Sequence, residues 1–151
     1  MNIKEDLKKA DISQDDVNIL AELFTSYDEC KEYIESESFE KLKEEVYHFI
    51  DDLYFHRDNL IINVQTHLLK EFSDKKNIQF FLNMLVLALR DLFHVKHSMN
   101  LTYPSFKSLY DRINDQEENI IQKIDLILTT EYLLSTNANV MLLMDSMMYR
   151  I

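Results

Sequence analysis

Between Ile78 and Val95, apolar residues recur at positions 78, 81, 82, 85, 89, 92 and 93, the three- and four-residue spacing of one helix face. A second apolar row, Phe80, Met84, Leu87 and Ala88, covers most of the opposite side. A helix apolar on nearly all sides is buried between other helices. Asn83, Arg90, His94 and His97 fall on one side of the wheel and make its polar stripe. At about 1.5 Å per residue this helix is roughly 27 Å long, the width of a small domain. The pattern predicts it as the centre of an all-α fold.

The chain before it reads as a series of helices. Ile3 and Leu7 mark a short first one, and Ser13-Gln14-Asp15-Asp16 is a capping-box-like start for a second. That second helix carries Val17, Leu20, Ala21 and Phe24 on one face. Thr25-Ser26 interrupts, and Tyr27 to Ile34 forms a third. Glu35-Ser36-Glu37-Ser38 is the expected domain boundary. Past it, Phe39, Leu42, Val46, Phe49, Ile50 and Leu53 form a long stripe, followed after a polar break at 56–59 by Leu60, Ile61, Val64, Leu68, Leu69 and Phe72. One kinked helix and two separate helices both fit this stretch.

Beyond the central helix, Ser98 to Ser105 is an irregular connection holding Pro104. A short helix over Phe106, Leu109, Tyr110 and Ile113 follows. Asp115-Gln116-Glu117-Glu118 reads as a capping box, opening a helix with Ile120, Ile121, Ile124, Ile127, Leu128 and Leu134 inward. Asn137-Ala138-Asn139 punctuates, and Asn139 caps a last helix carrying Val140, Leu143, Met144, Met147 and Ile151.

Composition narrows the function more than the fold. With no glycine among 151 residues, a glycine-rich phosphate loop or dinucleotide fingerprint is excluded. A net charge of −11 repels phosphate backbones and acidic membranes, so neither is an expected partner. Cys30, the single cysteine, excludes an internal disulfide and a cysteine-based zinc site. The longest apolar run, Met84 to Leu89, is too short to span a bilayer, and the N-terminus lacks a signal core. A cytoplasmic location is expected.

Glu45-x-x-His48 and Asp91-x-x-His94 each set a carboxylate and an imidazole one turn apart, as carboxylate-bridged metal bundles do. The wheel argues against a metal: His48 lies about 150° from the apolar stripe, on a face with Lys41, Glu44 and Asp52 that reads as solvated. The Asn83, Arg90, His94 and His97 stripe reads as a solvent-facing edge, with a contact line or ligand pair as its alternative. Arg90-Asp91 has the further option of a buried ion pair. Methionines 141, 144, 147 and 148 read as core filler, some of them facing a partner. No Ser-His-Asp, Cys-His or paired-acid arrangement emerges, so no catalytic residue, cofactor site or metal site is assigned.

Three segments in order resemble the C-terminal part of the delta-prime subunits of bacterial DNA polymerase III clamp loaders. Phe81 to Lys96, including Arg90-Asp91-Leu92, is similar to that family's "f-L-x-x-L-x-x-x-x-R-D-L" helix. Asn137-Ala138-Asn139-Val140 with Met144 is similar to its "N-x-N-x-x-L-x-L-E" closing helix. Val17 to Ile34 looks like the end of an AAA+ lid domain, with Thr25 replacing a glycine and Cys30 an alanine. Glu29 stands where nucleotide-sensing members carry a basic residue, and an acid there repels phosphate.

The resemblance implies a three-helix lid over residues 1–36 and a helical-bundle collar over 37–151, a fragment beginning at the lid. It implies a structural subunit with no cofactor, and not an enzyme. It would join delta and tau/gamma subunits through the collar, without direct contact to nucleic acid. The expected interface residues are exposed apolar positions on the last two helices: Tyr132, Met141 and Met148. The alternatives are a metal-dependent enzyme on a helical bundle and an unrelated helical adaptor.

Overall fold

The central helix, α7 (Lys75–Lys96), is buried along both of the apolar rows that define it. It starts where the Asp74 carboxylate accepts the Asn77 amide at 3.2 Å, satisfying one of the free donors of the first turn. It stops at a Schellman-type turn. Ser98 adopts the left-handed conformation at φ 54°, and the Met99 amide donates back to the His94 carbonyl at 2.8 Å. A chain without glycine places serine in that conformation, and Asp11 (φ 56°) does the same after the first helix.

This computed structural model describes residues 3–34, 36–136 and 139–151. Among them every regular element is helical, so the fold is all-α. Three short helices come first: α1 (Ile3–Lys9), α2 (Gln14–Leu23) and α3 (Tyr27–Ile34). Ser13 caps α2 as its sequence predicts, its hydroxyl accepting from the Asp16 amide. Next, α4 (Glu37–Phe55) ends at His56, whose backbone leaves the helical region, and α5 (Arg57–Asn63) begins at once. The stretch is therefore two helices. A π-helical turn (Val64–Leu68) and α6 (Leu69–Glu71) continue α5 without a break.

After α7, the irregular connection leads through a 3-10 turn (Pro104–Phe106) into α8 (Lys107–Arg112). The chain closes with α9 (Glu117–Leu134) and α10 (Val140–Arg150). Asn139 caps α10 through the Leu142 amide, whereas Asn137, Ala138 and Glu35 lie outside the described residues. The expected capping box at 115–118 does not form: Gln116 precedes α9 without a side-chain cap bond. Asp115 is drawn off by the Tyr54 hydroxyl (2.7 Å), Lys123 (2.9 Å) and Asn119 (3.2 Å).

α9 lies antiparallel along α7, because His97 meets Glu117 at one end and Asn83 meets Glu131 at the other. On the other side α4 packs through Phe49 against Phe81, while Phe24, Tyr33 and Phe39 gather round Phe80. The buried apolar residues form one cluster from Leu7 on α1 to Ile151. By length and composition α7 passes as a membrane span, with a mean hydropathy of 1.4. It is mostly buried inside the protein, as the core helix of a soluble fold is.

Candidate functional site

Asp91, the one acid of α7, has no exposed surface and is the most deeply buried acid among the described residues. Its two oxygens accept the backbone amides of Thr102 (2.8 Å) and Tyr103 (2.9 Å) and the Tyr110 hydroxyl (2.9 Å). Burial pushes its pKa up, and these three donors offset part of that rise. The carboxylate thus pins the start of the 3-10 turn to the core helix. Tyr103 adds a second tie, its hydroxyl donating to the Met84 carbonyl at 2.8 Å.

Arg90 does not pair with Asp91, in contrast to one sequence expectation. Successive helix residues point about 100° apart. Arg90 turns instead toward α2, where Nη2 meets Glu22 at 3.2 Å and the Thr102 hydroxyl at 3.1 Å. The expected solvent edge of α7 therefore divides. His97 is exposed beside Glu117, Asn83 is half-buried against Glu131, and Arg90 and His94 line a cleft.

That cleft, of about 910 Å³, lies between α1 and α2 on one side and the end of α7 with its following loop on the other. Its rim is tied down at both edges. Asn18 donates to the carbonyls of Leu101 (3.3 Å) and Thr102 (3.1 Å), and the Ser105 amide donates to Asp15 (3.1 Å).

Neither carboxylate–imidazole spacing gathers a third metal ligand among the described residues. His48 is exposed as its wheel position implies, but Asp52 is buried and accepts from Asn63 at 2.8 Å, so it does not share a solvated face. Packing of α5 against the end of α4 supplies the partner that turns Asp52 inward. Among the described residues, no three His, Cys, Asp or Glu side chains converge as metal ligands. Glu29 is exposed on the first turn of α3 and accepts from Thr25 at 3.1 Å.

The second feature is an apolar outer face on α9 and α10. Ile121, Leu128 and Tyr132 fall within about 40° of one another on α9, and Tyr132 is 70% exposed. On α10, Met141, Leu142 and Tyr149 are exposed, the last two at 69% and 76%. Two expected interface residues, Tyr132 and Met141, are thus on the surface. Met148 is not: it is 2% exposed and packs inward with Met144 and Met147. It sits one turn after Met144, on the face that closes the core. Ile121 and Leu128, expected inside, are outside, because Ile120, Ile127 and Leu134 already fill the side of α9 facing α7. Leu142 and Tyr149 were not legible as surface positions; the one signal was that α10 is apolar on more than one side.

Comparison with protein-family models, with curated proteins and with solved structures finds no match to this chain.

Proposed function

We propose that this chain is a non-catalytic scaffold, of the delta-prime clamp-loader kind, that joins neighbouring helical subunits through the outer face of α9 and α10. On this reading residues 1–36 correspond to a lid and 37–151 to a collar, acting in the cytoplasm during DNA replication. The observation that carries it is the apolar face itself. Tyr132, Leu142 and Tyr149 stand out while the core beneath them is already filled by Ile127, Met144 and Met147. Apolar groups gathered on helices that have satisfied their own packing mark an association surface. Large aromatic side chains such as Tyr132 and Tyr149 are favoured as anchors in such contacts. The order and spacing of the three matching segments supply the identity of the partners, delta and tau/gamma subunits. The surface charge of −11 keeps the scaffold itself off DNA.

The test is size-exclusion chromatography with light scattering, on the chain alone and mixed with delta and tau/gamma subunits from a matching source. A stable heteromer is expected with the natural sequence and lost in Tyr132→Asp combined with Leu142→Asp. Both substitutions are at exposed positions, so helicity by circular dichroism should be unchanged. A chain that stays separate at low and moderate salt would overturn the assignment of these partners.

A further inference from the structure

We infer that the segment docking on the outer face of α9 is a basic amphipathic helix of the partner, an apolar row flanked by lysine or arginine. This rests on the reading of that face as an association surface and names the chemistry of what covers it. Ile121, Leu128 and Tyr132 form the exposed row, at 50%, 45% and 70% exposure. Glu118 and Asp125 run beside it, about 50° round the helix. Both are exposed, and neither has a hydrogen bond or ion pair among the described residues. The opposite flank holds Glu117 and Glu131, which are met by His97 and Asn83. Among the described residues of α9 and α10, neither cation lies beside the row. Lys123 turns away to Asp115 at 2.9 Å, and Arg150 sits with Asn119 and Gln122, about 100° or more round α9.

Charge decides between the possible occupants. A second copy docking through the same face about a two-fold axis would set Glu118 and Asp125 of one chain beside those of the other. Like charges brought together at a contact oppose it. An uncharged apolar segment would cover the row but leave both carboxylates at its rim without a partner. A basic helix answers both features. Ile121 and Leu128 are one heptad apart, and so are Glu118 and Asp125, the spacing of an apolar seam with charges alongside it. Leucines at three- and four-residue spacing would lie on the seam, with a lysine or arginine beside them reaching each acid. The net charge of −11 draws such a segment in before contact.

Uniformly ¹⁵N-labelled full chain is titrated at moderate salt with three peptides of about 18 residues. The first is built of leucine and lysine at amphipathic helical spacing. The second replaces each lysine by glutamate, and the third reorders the first so that no apolar face forms. The first is expected to move the amides of 118–132 and to bind at least about tenfold tighter than either of the others. Glu118→Lys combined with Asp125→Lys, both at exposed positions, should weaken it about tenfold with the circular dichroism unchanged. Asp125→Lys alone, clear of the first turn of α9, should weaken it about threefold and decides the matter if the double variant does not fold. No shift up to about 1 mM of the first peptide, equal binding of the second or third, or shifts confined to other helices would each overturn the inference. Affinity indifferent to Asp125→Lys, or a dimer of the chain alone formed through α9 at low salt, would do the same. The peptides carry no clamp-loader sequence, so the chromatography above tests the identity of the partner and this titration its chemistry.

Discussion

Asp91→Ala removes the acceptor of three donors at once: the amides of Thr102 and Tyr103 and the Tyr110 hydroxyl. Asp91 itself has no exposed surface. Three orphaned donors at about 1–3 kcal/mol each give a gross loss between about 3 and 9 kcal/mol. Part of this is returned, because burial already works against the ionised carboxylate and the variant no longer carries that burden. The expected net loss is about 3–5 kcal/mol, a large share of the roughly 5–15 kcal/mol that holds a domain of this kind together.

The assay is urea unfolding followed by far-ultraviolet circular dichroism. With a slope of about 2 kcal/mol per molar, the midpoint should fall by about 2 M. Amide hydrogen exchange adds a local readout, since protection at Thr102 and Tyr103 should fall to that of an open loop. Tyr110→Phe removes one donor of the three and should cost about 1.5 kcal/mol. A loss below about 1 kcal/mol for Asp91→Ala, with Thr102 and Tyr103 still protected, would refute the view that this carboxylate anchors the connection.

Three further outcomes follow from the packing. Lys123→Met breaks the pair with Asp115, whose pKa burial would raise but bonds from Lys123, Tyr54 and Asn119 bring below the usual value. The stability that Asp115 contributes is present above its unfolded pKa of about 3.8 and lost as pH falls through the lower folded value. The variant should thus trail by about 1–3 kcal/mol near neutral pH, with the gap closing toward about pH 3 in urea titrations. Met148→Ala should cost about 2–4 kcal/mol by leaving a cavity, while Met141→Ala stays within about 0.5 kcal/mol by thermal unfolding. Cys30 is fully buried, and that burial, with Glu29 nearby, pushes its thiol pKa up. A thiol reagent should label it only at urea concentrations that unfold the chain.

Periodicity found the core helices because α4 carries one apolar row and α7 two at helical spacing, and these rows are buried. Caps were legible where one side chain serves its own helix, as at Ser13 and Asn139. The same kind of signal misled at Asp115, whose carboxylate is claimed by side chains from α4 and α9, partners that no local pattern displays. The partners of Asp91 were hidden for a related reason. Two of its partners are backbone amides, and an amide carries no mark in the sequence. Orientation failed on α9 and α10, where apolar residues occupy more than one side and the period alone does not choose which row turns in. Tertiary packing decided for Met148 and against Ile121 and Leu128.

That ambiguity is itself informative about function. A helix that had only to close its own domain would need one apolar stripe, with polar residues opposite. On α10, Met144, Met147 and Met148 already supply that stripe, yet Met141, Leu142 and Tyr149 are exposed. Covering each large apolar side chain is worth about 1.5–3 kcal/mol, a gain the free chain leaves unrealised. α9 repeats the arrangement, with Ile127 and Leu134 inside and Leu128 and Tyr132 outside. Two adjacent helices carrying a second apolar row, on a chain of net charge −11, are what the proposed association face requires.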